Sequence, residues 1–148
     1  FKSGASGWIE KRDVMLIGKE RHDLGRPNHM GYPVRAIRTP DYLYVHNFHP
    51  DRWPAGNPET NFGNCDDSPT KEVLKFLGGH FYDLSFGFRQ PDELYRLKTD
   101  PHGVINLAND LAHREILEQL RYRMMSLLKD EGDPRALGNA AELEAYEL

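Results

Sequence analysis

The chain has one cysteine, no long hydrophobic run and no excess of positive charge. Among its 148 residues Cys65 stands alone, which excludes an intrachain disulfide and argues against a cysteine-rich structural zinc site. No apolar segment approaches the ~20 residues that cross a bilayer. The net charge of −4 gives no general attraction for nucleic acid or for an anionic membrane surface. We therefore expect neither nucleic acid nor membrane among its partners.

The common short catalytic motifs are also missing. The sequence has no nucleophile elbow, no glycine-rich loop that cradles phosphate and no H-E-x-x-H zinc motif. The length fits one domain, or a subdomain of a larger protein. We expect a single unit over residues 1–148. It would consist of an entering loop (1–13), a strand and hairpin (14–48), a long loop (49–69), a helix, strand and long helix (70–132), and a tail (133–148).

Four stretches predict strands. Residues 14–17 form a continuous apolar run that ends at Gly18, the pattern of a strand buried on both faces. Residues 34–39 and 42–48 are rich in β-branched and aromatic side chains and flank Pro40-Asp41, which predicts an antiparallel hairpin. Residues 93–97 form a further short strand, followed by a turn at residues 100–103.

Residue patterns typical of helices lie before and after this last strand. Ser68 is a candidate cap before Pro69, and Val73, Leu74 and Leu77 would supply the apolar side of a helix that ends at Gly78-Gly79. A long helix should begin after Asp110 and end near Gly132. Its apolar stripe is formed by Ile116, Leu117, Leu120, Met124, Leu127 and Leu128. A short helix is expected at residues 140–146.

This order of elements predicts an α+β fold. We expect a small antiparallel sheet of about four strands, with the long C-terminal helix packed on one face. Residues 49–69 contain several prolines and glycines and should form a long irregular loop. Such loops are usually functional or packed against a neighbour.

The densest polar cluster is Arg21-His22-Asp23, directly after the first predicted strand. Loops at strand ends often carry ligand contacts. An arginine can clamp a sulfate or carboxylate with paired donors, and an adjacent acid can orient a histidine. The same residues also suit a solvated charged loop whose ion pairs contribute little, and on the residues alone this second interpretation is favoured.

Two other groups have a functional and a structural interpretation. His46, His49 and Asp51 could bind zinc, but their spacing matches no specific zinc signature, so structural histidines are favoured. Aromatic side chains could stack on sugars or anchor the long loop, and anchoring is favoured. These aromatics are Trp53, Phe62, Phe81, Tyr82, Phe86 and Phe88.

Several motifs, in order, resemble the C-terminal portion of type I sulfatases of the alkaline phosphatase superfamily. ELYRLKTDP at residues 93–101, leading to NLA at 106–108, is similar to the family's closing strand and turn. The heparan N-sulfatase (sulfamidase) branch is the most similar, through YPVRAIR at 32–38, YLYVHN at 42–47 and EGDP at 131–134. GKERHD at 18–23 stands where the family brings a His–acid pair to the substrate pocket.

The resemblance implies a parent enzyme that hydrolyses sulfate esters or N-sulfates of a heparan-type glycan, in glycosaminoglycan degradation. Family members use a formylglycine made from a C/S-x-P-x-R motif and a calcium site; neither sequence pattern is present here, so both cofactors are expected before residue 1. This chain would then not be catalytic alone. It would partner an N-terminal catalytic domain and a sulfated glycan, with His22, then Arg21 and Asp23, binding substrate. A periplasmic, secreted or lysosomal location is implied.

Two other functions remain compatible with these residues. The chain could be a non-catalytic module that binds carbohydrate or protein. It could also be part of a related phosphonate or phosphodiester hydrolase. The sequence upstream of residue 1 is the cheapest discriminator, because a C/S-x-P-x-R segment with nearby paired aspartates would support a sulfatase and an unrelated domain would contradict it.

Overall fold

The computed structural model describes residues 13–21, 25–56 and 60–145. Its four-stranded antiparallel sheet has the order β1 (Met15–Lys19), β2 (Val34–Arg38), β3 (Tyr42–Asn47), β4 (Asp92–Arg96). The described α-helices are α1 (Pro69–Leu77), α2 (Gly79–Phe86), α3 (Arg114–Asp130) and α4 (Ala140–Glu144). Short 3-10 turns lie at Pro27–His29 and Leu111–His113. None of the described helices is long and apolar enough to cross a membrane.

The main core lies between α3 and one face of the sheet. Ile37, Tyr44 and Leu94 are paired across neighbouring strands and are fully buried. The stripe of α3 covers them with Leu117, Leu120, Met124 and Leu128. The predicted α+β fold, with its long helix on one sheet face, is confirmed.

The predicted hairpin is confirmed, but the predicted burial of the first strand is wrong. β1 pairs only with β2 and lies at the edge of the sheet. Leu16 faces the core, whereas Met15 and Ile17 are 58% and 44% exposed on the other face. An apolar run indicates that both faces of a strand are suited to burial. It does not show whether the residues that bury them belong to the same chain.

The helices differ from expectation in two places. Ser68 caps α1 as predicted, because its Oγ accepts from the Lys71 backbone N–H at 3.1 Å. Of the residues predicted to form the apolar side, only Leu74 packs inward; Val73 and Leu77 are exposed. The glycine pair ends α1, yet α2 follows at once, which the sequence did not predict. The short tail helix is present as α4, and Tyr146 lies outside the described residues, as does the expected entering loop up to residue 12.

Two buried cations hold the long loop after β3. The Arg26 guanidinium donates to the carbonyls of Trp53 and Pro54 at 2.9 and 2.5 Å. The Lys71 ammonium, 3% exposed, donates to the carbonyls of Phe62 and Cys65 at 3.2 and 2.7 Å. Backbone carbonyls that would otherwise be buried without donors are thereby satisfied. A second, smaller cluster of Ala55, Phe62 and Phe86 fills the space beneath.

Most of the named aromatics anchor this region, as the structural interpretation favoured. Phe62 and Phe86 pack at 5.1 Å between ring centroids, with Tyr82 beside both. Trp53 stacks on Phe88 at 3.9 Å. Phe81 is the exception, because it is largely exposed.

The side chains of the ELYRLKTDP segment form hydrogen bonds that hold the fold together. The Glu93 carboxylate accepts from Asn47 Nδ2 at 2.7 Å and from the Tyr95 hydroxyl. Asp100 accepts the backbone N–H groups of Val104 and Ile105 at 2.9 and 2.8 Å, which closes the turn. These residues fix the strand and turn that lead into the long helix.

Candidate functional site

The predicted substrate loop begins at a residue that is tied to distant parts of the fold. Glu20, at the end of β1, forms ion pairs with Arg35 at 2.5 Å and with Arg135 at 2.8 Å. Its carbonyl accepts the Tyr32 N–H at 2.8 Å. Both arginines are buried while the Glu20 side chain is 30% exposed, so these contacts are partly shielded from water. The backbone immediately before Arg21 is therefore held on three sides.

The same ionic network reaches the tail of the chain. Arg35 Nε donates to Asp133 at 2.8 Å, and Arg135 contacts Glu144 of α4 at 2.8 Å. Burial alone would raise the pKa of the Asp133 and Glu144 carboxyls, but their arginine partners outweigh it and hold both pKa values below the usual range. Both carboxylates are thus ionised partners of the arginines at neutral pH.

The far end of the loop is fixed by close backbone packing. Gly25 is buried, and a Cβ there would lie 2.3 Å from the Asn64 nitrogen, so only glycine fits. Its carbonyl accepts the Thr60 hydroxyl at 2.8 Å. The next residue, Arg26, donates to the Asn64 side chain at 2.8 Å. Residues 20 and 25–26 thus form two anchors, one on each side of the predicted site.

Of the three predicted substrate-binding residues, the structure describes one. Arg21 is partly buried directly after β1 and next to the Glu20 anchor. His22 and Asp23 lie outside the described residues. Their role in binding substrate stays a prediction.

A second polar cluster lies beside α3. It is on the face of the sheet opposite to the one that carries Met15 and Ile17. The Asp92 carboxylate accepts from the Tyr44 hydroxyl at 2.6 Å, from His46 Nδ1 at 3.1 Å and from the Arg121 guanidinium. Burial would raise the pKa of Asp92, but these donors outweigh it and lower the pKa. Burial, followed by the Asp92 hydrogen bond, raises the pKa of Tyr44, so its hydroxyl stays protonated.

A shallow cleft of about 200 Å³ borders this cluster. Asp92, Arg121 and Arg114 contribute charged groups to it, with Leu117 and Pro91 as apolar walls. Sequence reasoning missed the cluster because His46 and Asp92 are 46 residues apart. The available sequence signal is the alternation of the strand, which places His46 on the same face as Tyr42 and Tyr44.

The three residues considered for a metal do not converge. His46 contacts Asp92, whereas His49 Nε2 lies 3.4 Å from Glu144 and its Nδ1 lies 3.8 Å from Asp51. Within residues 13–21, 25–56 and 60–145, no three His, Cys, Asp or Glu side chains are grouped so as to hold a metal ion.

Comparison with known proteins shows where else this fold occurs. No family profile matches the chain, and no curated protein matches it significantly. Among solved structures, a candidate sulfatase from Bacteroides thetaiotaomicron and a 2-O GAG sulfatase each superpose with a TM-score of 0.50 over 84% of the chain, at 18% identity. The fold is one that occurs within sulfatases.

The matched region is a small part of those sulfatase structures. The chain spans only 18% of the length of each. A third structure, solved in complex with D-glucosamine-2-N,6-O-disulfate, has a TM-score of 0.44 at 16% identity, and the chain covers 17% of it. At these identities the comparison establishes the fold alone.

Proposed function

We propose that the chain is the C-terminal portion of a sulfatase that hydrolyses sulfate esters or N-sulfates of a heparan-type glycan. The observation that carries the proposal is the fold shared with two sulfatase structures over 84% of the chain. The ordered motifs at residues 18–23, 32–47, 93–108 and 131–134 support it. In this assignment the chain supplies scaffold and one wall of the sugar pocket.

The formylglycine and the calcium site are assigned to the N-terminal catalytic domain. A hard divalent cation such as calcium takes six to eight oxygen ligands, with carboxylates prominent among them. The described residues contain no such carboxylate group, and the carboxylates of Glu20, Asp133 and Glu144 are already paired with arginines. The described residues therefore do not form a calcium site, and we assign them no step at the sulfur atom.

The wall of the pocket is assigned to Arg21, His22 and Asp23. A guanidinium can bind a uronate or sulfate group through two parallel donors, and a His–Asp pair can bind sugar hydroxyls. The Glu20 and Gly25 anchors support this role, because binding groups act best on a rigid frame. A frame that is already ordered lowers the entropy cost of holding substrate.

The test is His22→Ala in the full-length protein, with two substrates. We expect kcat/KM on a sulfated heparan oligosaccharide to fall about ten- to hundredfold, the effect of losing a charge-assisted hydrogen bond. Activity on a small aryl sulfate should change little, because that substrate lacks the sugar. His102→Ala, at an exposed turn, is the matched control.

Equal losses on both substrates, or none on either, would reject the binding role of His22. The parent enzyme is tested separately by the coding sequence before residue 1. A C/S-x-P-x-R segment with nearby aspartates there supports a sulfatase, and an unrelated domain there contradicts it.

A further inference from the structure

The α1 helix presents its apolar residues to solvent and its lysines to the protein. Phe76 is 88% exposed, and Val73 and Leu77 are also exposed. Residues three and four apart share a helix face, so Val73, Phe76 and Leu77 form one stripe, called here the α1 stripe. The opposite side carries Lys71, Leu74 and Lys75. This arrangement inverts the usual amphipathic helix, whose apolar stripe faces the core.

The inward side is held by specific contacts, so the helix cannot simply turn its stripe inward. Lys71 donates to two loop carbonyls and to Asp67 at 2.9 Å. Lys75 Nζ donates to Asn61 Oδ1 at 2.8 Å and lies 5.4 Å from the centre of the Phe62 ring. Rotating α1 would break these contacts and leave the loop carbonyls without donors. These contacts therefore fix the orientation of α1, with its stripe facing outward.

A further apolar residue is exposed beyond the end of α1. The corner is made by Gly78 and Gly79, whose φ angles of 62° and 69° favour glycine. Phe81, just beyond the corner, is also exposed. Phenylalanine is enriched, and charged residues are depleted, in the centre of protein interfaces. A cluster of this kind on a free surface marks a place where another polypeptide packs.

We propose that the α1 stripe is a docking surface for the remaining polypeptide of the same protein, through an apolar patch on its catalytic part. This occupant rests on the proposed function. It is favoured because the two sulfatase structures with this fold are far longer, the chain spanning 18% of each. An interface between two parts of one polypeptide would cover such an apolar face.

The experiment compares hydrogen exchange of residues 69–77 in the full-length protein and in the 148-residue chain. In the full-length protein, held monomeric as judged by light scattering, we expect these amides to exchange at least about tenfold more slowly. That factor is the minimum expected when a large side chain such as Phe76 becomes buried. Phe76→Ser should remove the protection, and in the 148-residue chain it should leave exchange unchanged.

Tyr122→Ser is the matched control, because Tyr122 is an exposed aromatic residue on α3. An equal effect of Tyr122→Ser, or the same exchange in both proteins, would overturn the docking proposal. So would protection that appears only at concentrations where the protein dimerises, since the occupant would then be a second copy. Sulfatase activity is assayed in parallel. Protection without sulfatase activity would refute the proposed function and leave the docking proposal standing. Sulfatase activity without protection would support the proposed function and overturn the docking proposal.

Discussion

Among single residues, Asp92 organises more of the structure than any other side chain of the second polar cluster. It joins β4 to Tyr44 and His46 of β3 and to Arg121 of α3. A carboxylate that accepts from three donors is stabilised in its charged form. The residue therefore ties the N-terminal half of the long helix to the sheet by charge as well as by packing.

Asp92→Asn should destabilise the 148-residue chain by about 1.5–3 kcal/mol at pH 7, the range for hydrogen bonds to charged groups. Because the folded-state pKa of Asp92 lies below its ordinary value of 3.8, its contribution is present above that pH and is lost as the pH falls through the folded-state pKa. The variant should therefore differ from the natural chain at pH 7 and converge with it at low pH.

Urea unfolding at several pH values measures this difference. Glu118→Gln is the control, since Glu118 also contacts Arg121 but is mostly exposed; it should cost less than about 1 kcal/mol. A loss from Asp92→Asn that is independent of pH would contradict the ionic role.

Among the elements, α1 depends on its first turn more than on its apolar residues. A helix normally gains stability by burying a stripe, but the α1 stripe is exposed in this chain. The Ser68 cap, the Lys71 and Lys75 contacts and the inward packing of Leu74 hold α1 in place.

Ser68→Ala should therefore cost about 1 kcal/mol, because the Lys71 N–H loses its acceptor. The measurement is urea unfolding of the 148-residue chain, together with amide exchange of residues 69–77. Ser126→Ala is the control, as Ser126 is exposed within α3 and alanine is the better helix former. If both variants behave alike, the cap has no special role.

The sequence predicted elements that are built from local patterns. The hairpin, the Ser68 cap and the stripe of α3 depend on residues close together in the chain, and all three were found. α2 was missed because Gly78-Gly79 signals an end without showing that a new helix begins. The exposure of β1 and of the α1 stripe could not be predicted, since an apolar pattern does not say which polypeptide covers it.

For the candidate site, the sequence could indicate the loop but not its supports. Arg21-His22-Asp23 was noticed as a polar cluster after a strand. The pairing of Glu20 with Arg135 joins residues 115 apart and leaves no local signal. Gly25 gave only a general turn signal, and its close approach to Asn64 depends on the path of the long loop.

In the molecule as a whole, side-chain contacts connect the end of the first strand with the tail. Arg135 binds Glu20 of the first segment and Glu144 of α4, and its side chain is 2% exposed. Burial lowers the pKa of this guanidinium, but its two carboxylate partners outweigh burial and raise it. The segment after β1 and the α4 helix are thus joined through one buried cation.

Arg135→Gln should lower the free energy of unfolding by about 1.5–3 kcal/mol, because Glu20 and Glu144 lose their buried partner and keep only Arg35 and Arg52. Thermal and urea unfolding measure the loss. Arg123→Gln removes a solvent-exposed pair with Asp13 and should cost no more than about 1 kcal/mol. Similar losses for the two variants would show that the buried position of Arg135 is unimportant.

The two anchors around the loop after β1 have a practical consequence for engineering. Glu20 on one side and Gly25 with Arg26 on the other are held by partners outside residues 22–24. Residues 22–24 can therefore be randomised as one cassette without changing any residue of the two anchors. A library confined to these codons in the parent gene, selected on differently sulfated sugars, would test whether this loop binds substrate as proposed.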